Sequence, residues 1–195
     1  MKGLILLANH FEDIEALATI DCVRRAGVCI DTVSITGNNE LITQYHLKVK
    51  ADKLIEEIQL DDYDFLILPG GKAVKETHLS SPITKKCVEH FYKKDQLIAC
   101  ICAAPSILGQ MGILDDMEFT CYPGCEEKMP KGKYLQDENV VVRKNIITAK
   151  AAGASFIFAY QIIAYIKGEE IAKQVLDSIY SVSYTHLRAH ETRSN

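Results

Sequence analysis

Several features are missing from this 195-residue chain, and each absence removes a class of function. No block of lysine and arginine interleaved with aromatics occurs, and 22 basic residues against 26 acidic ones leave a net charge of −4. A nucleic-acid-binding role is therefore not expected. There is no long apolar run: the N-terminal stretch Met1-Lys2-Gly3-Leu4-Ile5-Leu6-Leu7-Ala8 turns polar at Asn9. That run is too short for a signal peptide or a membrane span, so a soluble cytoplasmic protein without membrane partners is expected. No C-x-x-C pair exists among the seven cysteines (22, 29, 87, 100, 102, 121 and 125), and their number is odd. Reduced thiols fit this better than a disulfide framework. Cys121 and Cys125 flank Tyr122-Pro123-Gly124, but no second ligand pair accompanies them, so no metal site is expected. Neither a G-x-G-x-x-G loop nor a Walker-type loop is present, which argues against a nucleotide cofactor. No cofactor is expected.

What remains is a globular composition, 48% apolar and 25% charged. Short apolar runs at Lys2 to Ala8, Val28 to Ile35, Phe65 to Leu68 and Leu97 to Ile101 read as strands buried on both faces. Leu41 to Lys50 alternates loosely, as a hairpin or edge ribbon would. Short strands are expected at Val140 to Val142 and Ile146 to Ala149. Helical signals cover Glu12 to Ala26, Pro82 to Lys93, a stretch running from Cys102 to Leu108, Ser155 to Lys167 and Glu169 to Tyr180. Alternating strands and helices predict an α/β fold with a mostly parallel central sheet covered on both faces. One domain is expected over residues 1–180. The stretch 181–195 loses periodicity and reads as a flexible or non-native C-terminal tail.

In open α/β sheets, sites form outside the carboxyl ends of the strands. Cys102 falls there, where the Leu97 to Ile101 strand turns into a helix. Free N–H groups and the positive helix end would favour a thiolate, so Cys102 is the candidate nucleophile at a nucleophile elbow. The bland alternative is a small buried hydrophobe, which is the stronger reading for Cys100. Glu15, with Ala18, Thr19 and Cys22 on its helix face, is either a solvated glutamate or one lying against the sheet. In the second case its carboxyl could stay protonated and exchange a proton with a thiolate. Gly70-Gly71 is a plain turn, or it lets the Gly71 N–H act with that of Ala103 as an oxyanion donor. His10 reads as a surface-loop residue that could also face this pocket.

These residues resemble the DJ-1/ThiJ/PfpI superfamily over about residues 2–180. The carriers are Phe11-Glu12-Asp13-Ile14-Glu15, Arg24-Arg25-Ala26-Gly27, Asp64-Phe65-Leu66-Ile67-Leu68-Pro69-Gly70-Gly71 and Ala99-Cys100-Ile101-Cys102-Ala103-Ala104-Pro105. Ala151-Ala152-Gly153-Ala154-Ser155-Phe156 stands where the superfamily turns into a late helix. The resemblance implies a flavodoxin-like three-layer sandwich, usually a homodimer, with Cys102 as nucleophile and Glu15 as its partner. The protease-like branch places a histidine directly after the cysteine; Ala103 stands there instead, so the chain is closer to the DJ-1 and bacterial ThiJ-like branch. Some relatives have a histidine where this chain has Tyr122, and Lys150-Ala151-Ala152 replaces arginine-glycine-proline, which weakens an anion-binding role for the late turn. The implied activity is that of a cofactor-independent, glyoxalase III-like lyase or a deglycase. Its substrates would be methylglyoxal-type 2-oxoaldehydes or glycated adducts. The other implied role is a non-enzymatic oxidative-stress sensor or redox-regulated chaperone using the same cysteine.

Overall fold

A computed structural model describes residues 1–181. The expected tail lies outside the described residues apart from its first residue. In chain order the elements are β1 (Lys2–Leu7), α1 (Asp13–Arg25), β2 (Cys29–Ser34), β3 (Glu40–Ile42), β4 (Lys48–Lys50), β5 (Lys53–Leu54), β6 (Phe65–Leu68), α2 (Pro82–Lys93), β7 (Leu97–Ile101) and α3 (Pro105–Gln110). They continue as β8 (Glu118–Phe119), β9 (Lys133–Tyr134), β10 (Val140–Arg143), β11 (Ile146–Ala149), α4 (Ser155–Lys167) and α5 (Glu169–Ser178). Seven strands form the central sheet in the order β10-β11-β7-β6-β1-β2-β5, parallel except for the β10–β11 pair. The fold is the expected flavodoxin-like α/β sandwich.

The apolar runs form the middle of the sheet because residues with no polar side chain can be covered on both faces. Every residue of β6 and β7 is buried, as are Leu4 to Leu7 of β1. β10 and β11 form an antiparallel edge hairpin turned at Lys144 and Asn145, with Arg143 opposite Ile146. The loosely alternating segment is a hairpin, β3 against β4, standing apart from the main sheet. On one side α1, α4 and α5 pack together, burying Ile20 and Val23 of α1 and Phe158, Ile162 and Ile163 of α4.

Two helix boundaries differ from expectation in ways that matter for the site. Glu12 lies just outside α1 as its N-cap, with its Oε2 accepting from the Glu15 N–H at 2.8 Å. The stretch from Cys102 is not helical at its start: residues 102–104 form a turn, and α3 begins only at Pro105 and lasts six residues. Cys102 has φ 65°, a left-handed value that a side chain rarely adopts. The helix-terminus argument for its thiolate is thereby replaced by a strained elbow supported by individual N–H groups.

Candidate active site

The site sits at the carboxyl ends of β1, β6 and β7, where three chain segments are stitched together. The elbow is pinned on both sides: the Cys102 N–H donates to the Ala149 carbonyl at 2.9 Å, and its carbonyl accepts from the Tyr122 N–H at 2.8 Å. The segment following β6 is clamped to the segment following β1. The Glu12 N–H donates to the Gly70 carbonyl at 3.2 Å, and the Ala73 N–H donates to the His10 carbonyl at 3.1 Å. Gly71 must be glycine here. Its φ is 89°, and a Cβ would stand 2.5 Å from both the Glu12 nitrogen and the His10 oxygen.

Glu15 lies against the sheet and is 1% exposed. Its Oε2 accepts from the Gly70 N–H at 2.8 Å. Its Oε1 is buried without a hydrogen-bond partner of good geometry among the described residues. The sulfur of Cys102 is the neighbour of this carboxyl. The point where a Gly70 Cβ would sit is 2.6 Å from Glu15 Oε2, 2.6 Å from Cys102 Cβ and 3.1 Å from Cys102 Sγ. Glycine at 70 is what lets carboxyl and thiol share this space.

Burial pushes the Glu15 carboxyl up to about 7, the Cys102 thiol pulls it back, the Glu12 carboxylate adds to the rise and the Gly70 N–H opposes it. The Cys102 thiol is also raised, first by burial, then by the charge of Glu15 and the hydrogen bond to it. The Gly71 and Ala103 N–H groups act on the sulfur in the opposite direction. The two groups are coupled, so neither titrates independently of the other. When Glu15 is protonated, both contributions from Glu15 that disfavour the thiolate vanish, and two N–H donors remain on the sulfur. A buried carboxylate oxygen such as Oε1, without a protein donor of good geometry, is costly and favours the protonated carboxyl.

The four residues singled out from the sequence, Cys102, Glu15, Gly71 and Ala103, all line one open cleft of about 420 Å³. Gly71 and Ala103 aim their N–H groups at the sulfur, while the Gly70 N–H is committed to Glu15. Tyr122 lines the cleft and is half exposed. His10 is not part of the lining: its Nδ1 meets Glu76 Oε2 at 2.7 Å on the surface. Lys150 is also outside the lining, and its Nζ donates to the Gln136 carbonyl at 2.6 Å. Glu12, Gln44, Tyr45 and Lys72 were not singled out from the sequence as cleft residues. Lys72 carries a local signal, since it follows Gly70-Gly71 directly, and Glu12 lies in the Phe11 to Glu15 motif.

The DJ-1/PfpI family profile matches residues 1–165. The chain belongs to the DJ-1/PfpI family. It is 30% identical over 177 residues to Parkinson disease protein 7 homolog of Danio rerio, covering 89% of this chain and 94% of that protein. It is 29% identical over 178 residues to glutathione-independent glyoxalase DJR-1.2 of Caenorhabditis elegans, covering 90% of this chain and 94% of that one. Among solved structures, Drosophila melanogaster DJ-1beta superposes with a TM-score of 0.87 at 26% identity, covering 92% of this chain and 97% of the other. Among the described residues no helix is long and apolar enough to cross a membrane. No group of three or more histidine, cysteine or acidic side chains able to hold a metal occurs among them.

Proposed function

We propose that this protein is a cofactor-independent glyoxalase III-like lyase acting on methylglyoxal-type 2-oxoaldehydes, with glycated adducts of the same chemistry as further substrates. Cys102 is the nucleophile, Glu15 the proton carrier, and the N–H groups of Gly71 and Ala103 the oxyanion donors. The observation that carries this reading is the buried Glu15 carboxyl, raised to about 7, beside a thiol on a left-handed elbow. An acid or base poised near neutral pH is what a two-way proton transfer needs. Family membership and the glyoxalase named among the relatives support it further.

The reaction balances as the addition of one water. The Cys102 thiolate bonds to the aldehyde carbon, and the carbonyl electron pair takes the Glu15 proton, giving a hemithioacetal. Glu15, now ionised, removes the hydrogen on that carbon as a proton, and the electrons pass to the neighbouring ketone oxygen as an enediolate. The N–H groups of Gly71 and Ala103 hold the negative oxygen. Glu15 returns its proton to the second carbon. The hydroxyl proton passes from the first oxygen to the second, leaving a thioester of lactic acid on Cys102. Water, losing a proton to Glu15, cleaves the thioester; lactic acid leaves, ionising to lactate with its proton going to solvent, and the thiolate is restored.

The functional domain in this proposal is residues 1–180, in a cytoplasmic homodimer. Exposed Ile14 and Leu17 on α1 support an apolar self-contact. The test is lactate formation from methylglyoxal without glutathione. Wild-type protein should form it and Cys102→Ser should not, while unfolding at nearly the same temperature, because a serine alkoxide is far harder to form than a thiolate. Lactate formation by the serine variant would move the chemistry elsewhere.

A further inference from the structure

The cleft has a side that the dyad does not use. Lys72 lines it and is exposed, and no carboxylate among the described residues pairs with its ammonium. Its backbone is not free to drift. The Lys72 N–H donates to Gln44 Oε1 at 2.9 Å, which joins the segment after β6 to the loop between β3 and β4. That loop is anchored in turn: the Gln44 N–H donates to the Phe11 carbonyl at 2.9 Å, and the Tyr45 N–H to Asp13 Oδ2 at 3.2 Å. Because Gln44 Oε1 accepts from Lys72, its amide NH₂ is the end left to donate. Tyr45 lines the same cleft, and its hydroxyl has no partner among the described residues. Three donors, one of them a full positive charge, therefore stand on two segments tied to each other. Of the two acids lining this cleft, Glu15 belongs to the dyad, and Glu12 is buried with its Oε2 accepting from the Glu15 N–H. Lys72 is not among the groups that shift the Glu15 carboxyl, whose charged neighbour is Glu12.

We propose that Lys72, with the Gln44 amide and the Tyr45 hydroxyl, forms an anion subsite that selects substrates bearing a carboxylate or phosphate beside the reacting aldehyde. This rests on the reading of Cys102 as the reactive nucleophile. A lysine ammonium offers a point charge with rotatable donors, which suits either anion. The natural substrate would then be an anionic 2-oxoaldehyde, and methylglyoxal a truncated version that leaves the subsite empty. An unfilled charged subsite forfeits binding that would otherwise orient the aldehyde over the sulfur.

The test needs no turnover. Iodoacetate and iodoacetamide alkylate a thiolate by the same displacement, the sulfur–carbon bond forming as iodide leaves, and differ in charge. Their second-order rates at Cys102 are measured by mass spectrometry for the wild type, Lys72→Met and Lys72→Arg. Any change in thiolate content cancels in the ratio of the two rates. The iodoacetate-to-iodoacetamide ratio should fall about tenfold in Lys72→Met and recover in Lys72→Arg. In the wild type it should fall as salt rises, because the charge stands at an open cleft. Protection by inorganic phosphate at lower concentration than by acetate would assign a phosphate-bearing substrate; the reverse would assign a carboxylate. An unchanged ratio in Lys72→Met would overturn the subsite, and a Cys102 inert to both reagents would overturn it together with the proposed nucleophile. Normal alkylation ratios with no conversion of methylglyoxal, 4,5-dioxopentanoate or hydroxypyruvaldehyde phosphate would sink the lyase reading and leave the subsite standing.

Discussion

A methyl group on residue 70 would stand 2.6 Å from both Cys102 Cβ and Glu15 Oε2, with no flexible surface atom to give way. Gly70→Ala should therefore separate the carboxyl from the thiol. Turnover of 2-oxoaldehydes should fall about 10²-fold, the usual cost of a misplaced reacting group, and activity near wild type would mean the pair does not act in contact. Cys102 was legible in the sequence because a cysteine between a buried strand and a turn has few reasons to be there. Glu15 was not legible from spacing, since an acid in a first helical turn is ordinary; only the sequence resemblance singled it out. In the sequence Glu12 falls within the same helical stretch, whereas it caps α1. Whether an acid caps a helix or starts it is a matter of one residue, and that is below what periodicity resolves.

At the scale of elements, two glycine turns, one beside the elbow and one after α1, are held in left-handed conformations for different reasons. Gly71 is crowded by backbone atoms at 2.5 Å, whereas Gly27, with φ 69°, has nothing within 4 Å of a built Cβ. Gly27→Ala should cost only the left-handed strain, about 1–2 kcal/mol. Gly71→Ala should cost more, because the bridge between Phe11 and Gly71 must open, and the two urea midpoints compare them directly. Equal midpoints would show that the clamp is soft. The long apolar strands β1, β6 and β7 were readable because burial on both faces leaves a continuous pattern. The two-residue strands β5, β8 and β9 were not, since so short a pairing has no period and is set by what lies beside it. The stretch after β7 read as helix because alanines and leucine favour one; the strained turn at Cys102 is imposed by the clamps on its N–H and carbonyl, which propensity does not see.

Across the whole molecule, two buried titratable groups set opposite slopes of stability with pH. His78, in the π-type turn Val74–His78, is 1% exposed, and burial lowers it to about 4 from 6.5. Its neutral form is favoured on folding, so this contribution is present above pH 6.5 and is lost as pH falls from 6.5 towards 4. Glu15 runs the other way: raised from 4.5 to about 7, its contribution is present below pH 4.5 and lost as pH rises towards 7. Glu15→Gln should therefore melt higher than the wild type at pH 8, with the advantage shrinking as pH falls to 4.5. In that background, acid destabilisation between pH 6.5 and 4 should flatten when His78→Gln is added; an unaltered slope would place the buried proton elsewhere. The same Glu15→Gln protein bears on the central claim, because the amide keeps the shape and the hydrogen bond to Gly70 but cannot carry a proton back and forth. The decisive measurement is its initial rate of lactate release from methylglyoxal, without glutathione, beside the wild type. A loss of about 10²–10⁴-fold in a folded protein is the expected result, and a rate close to wild type would contradict the account.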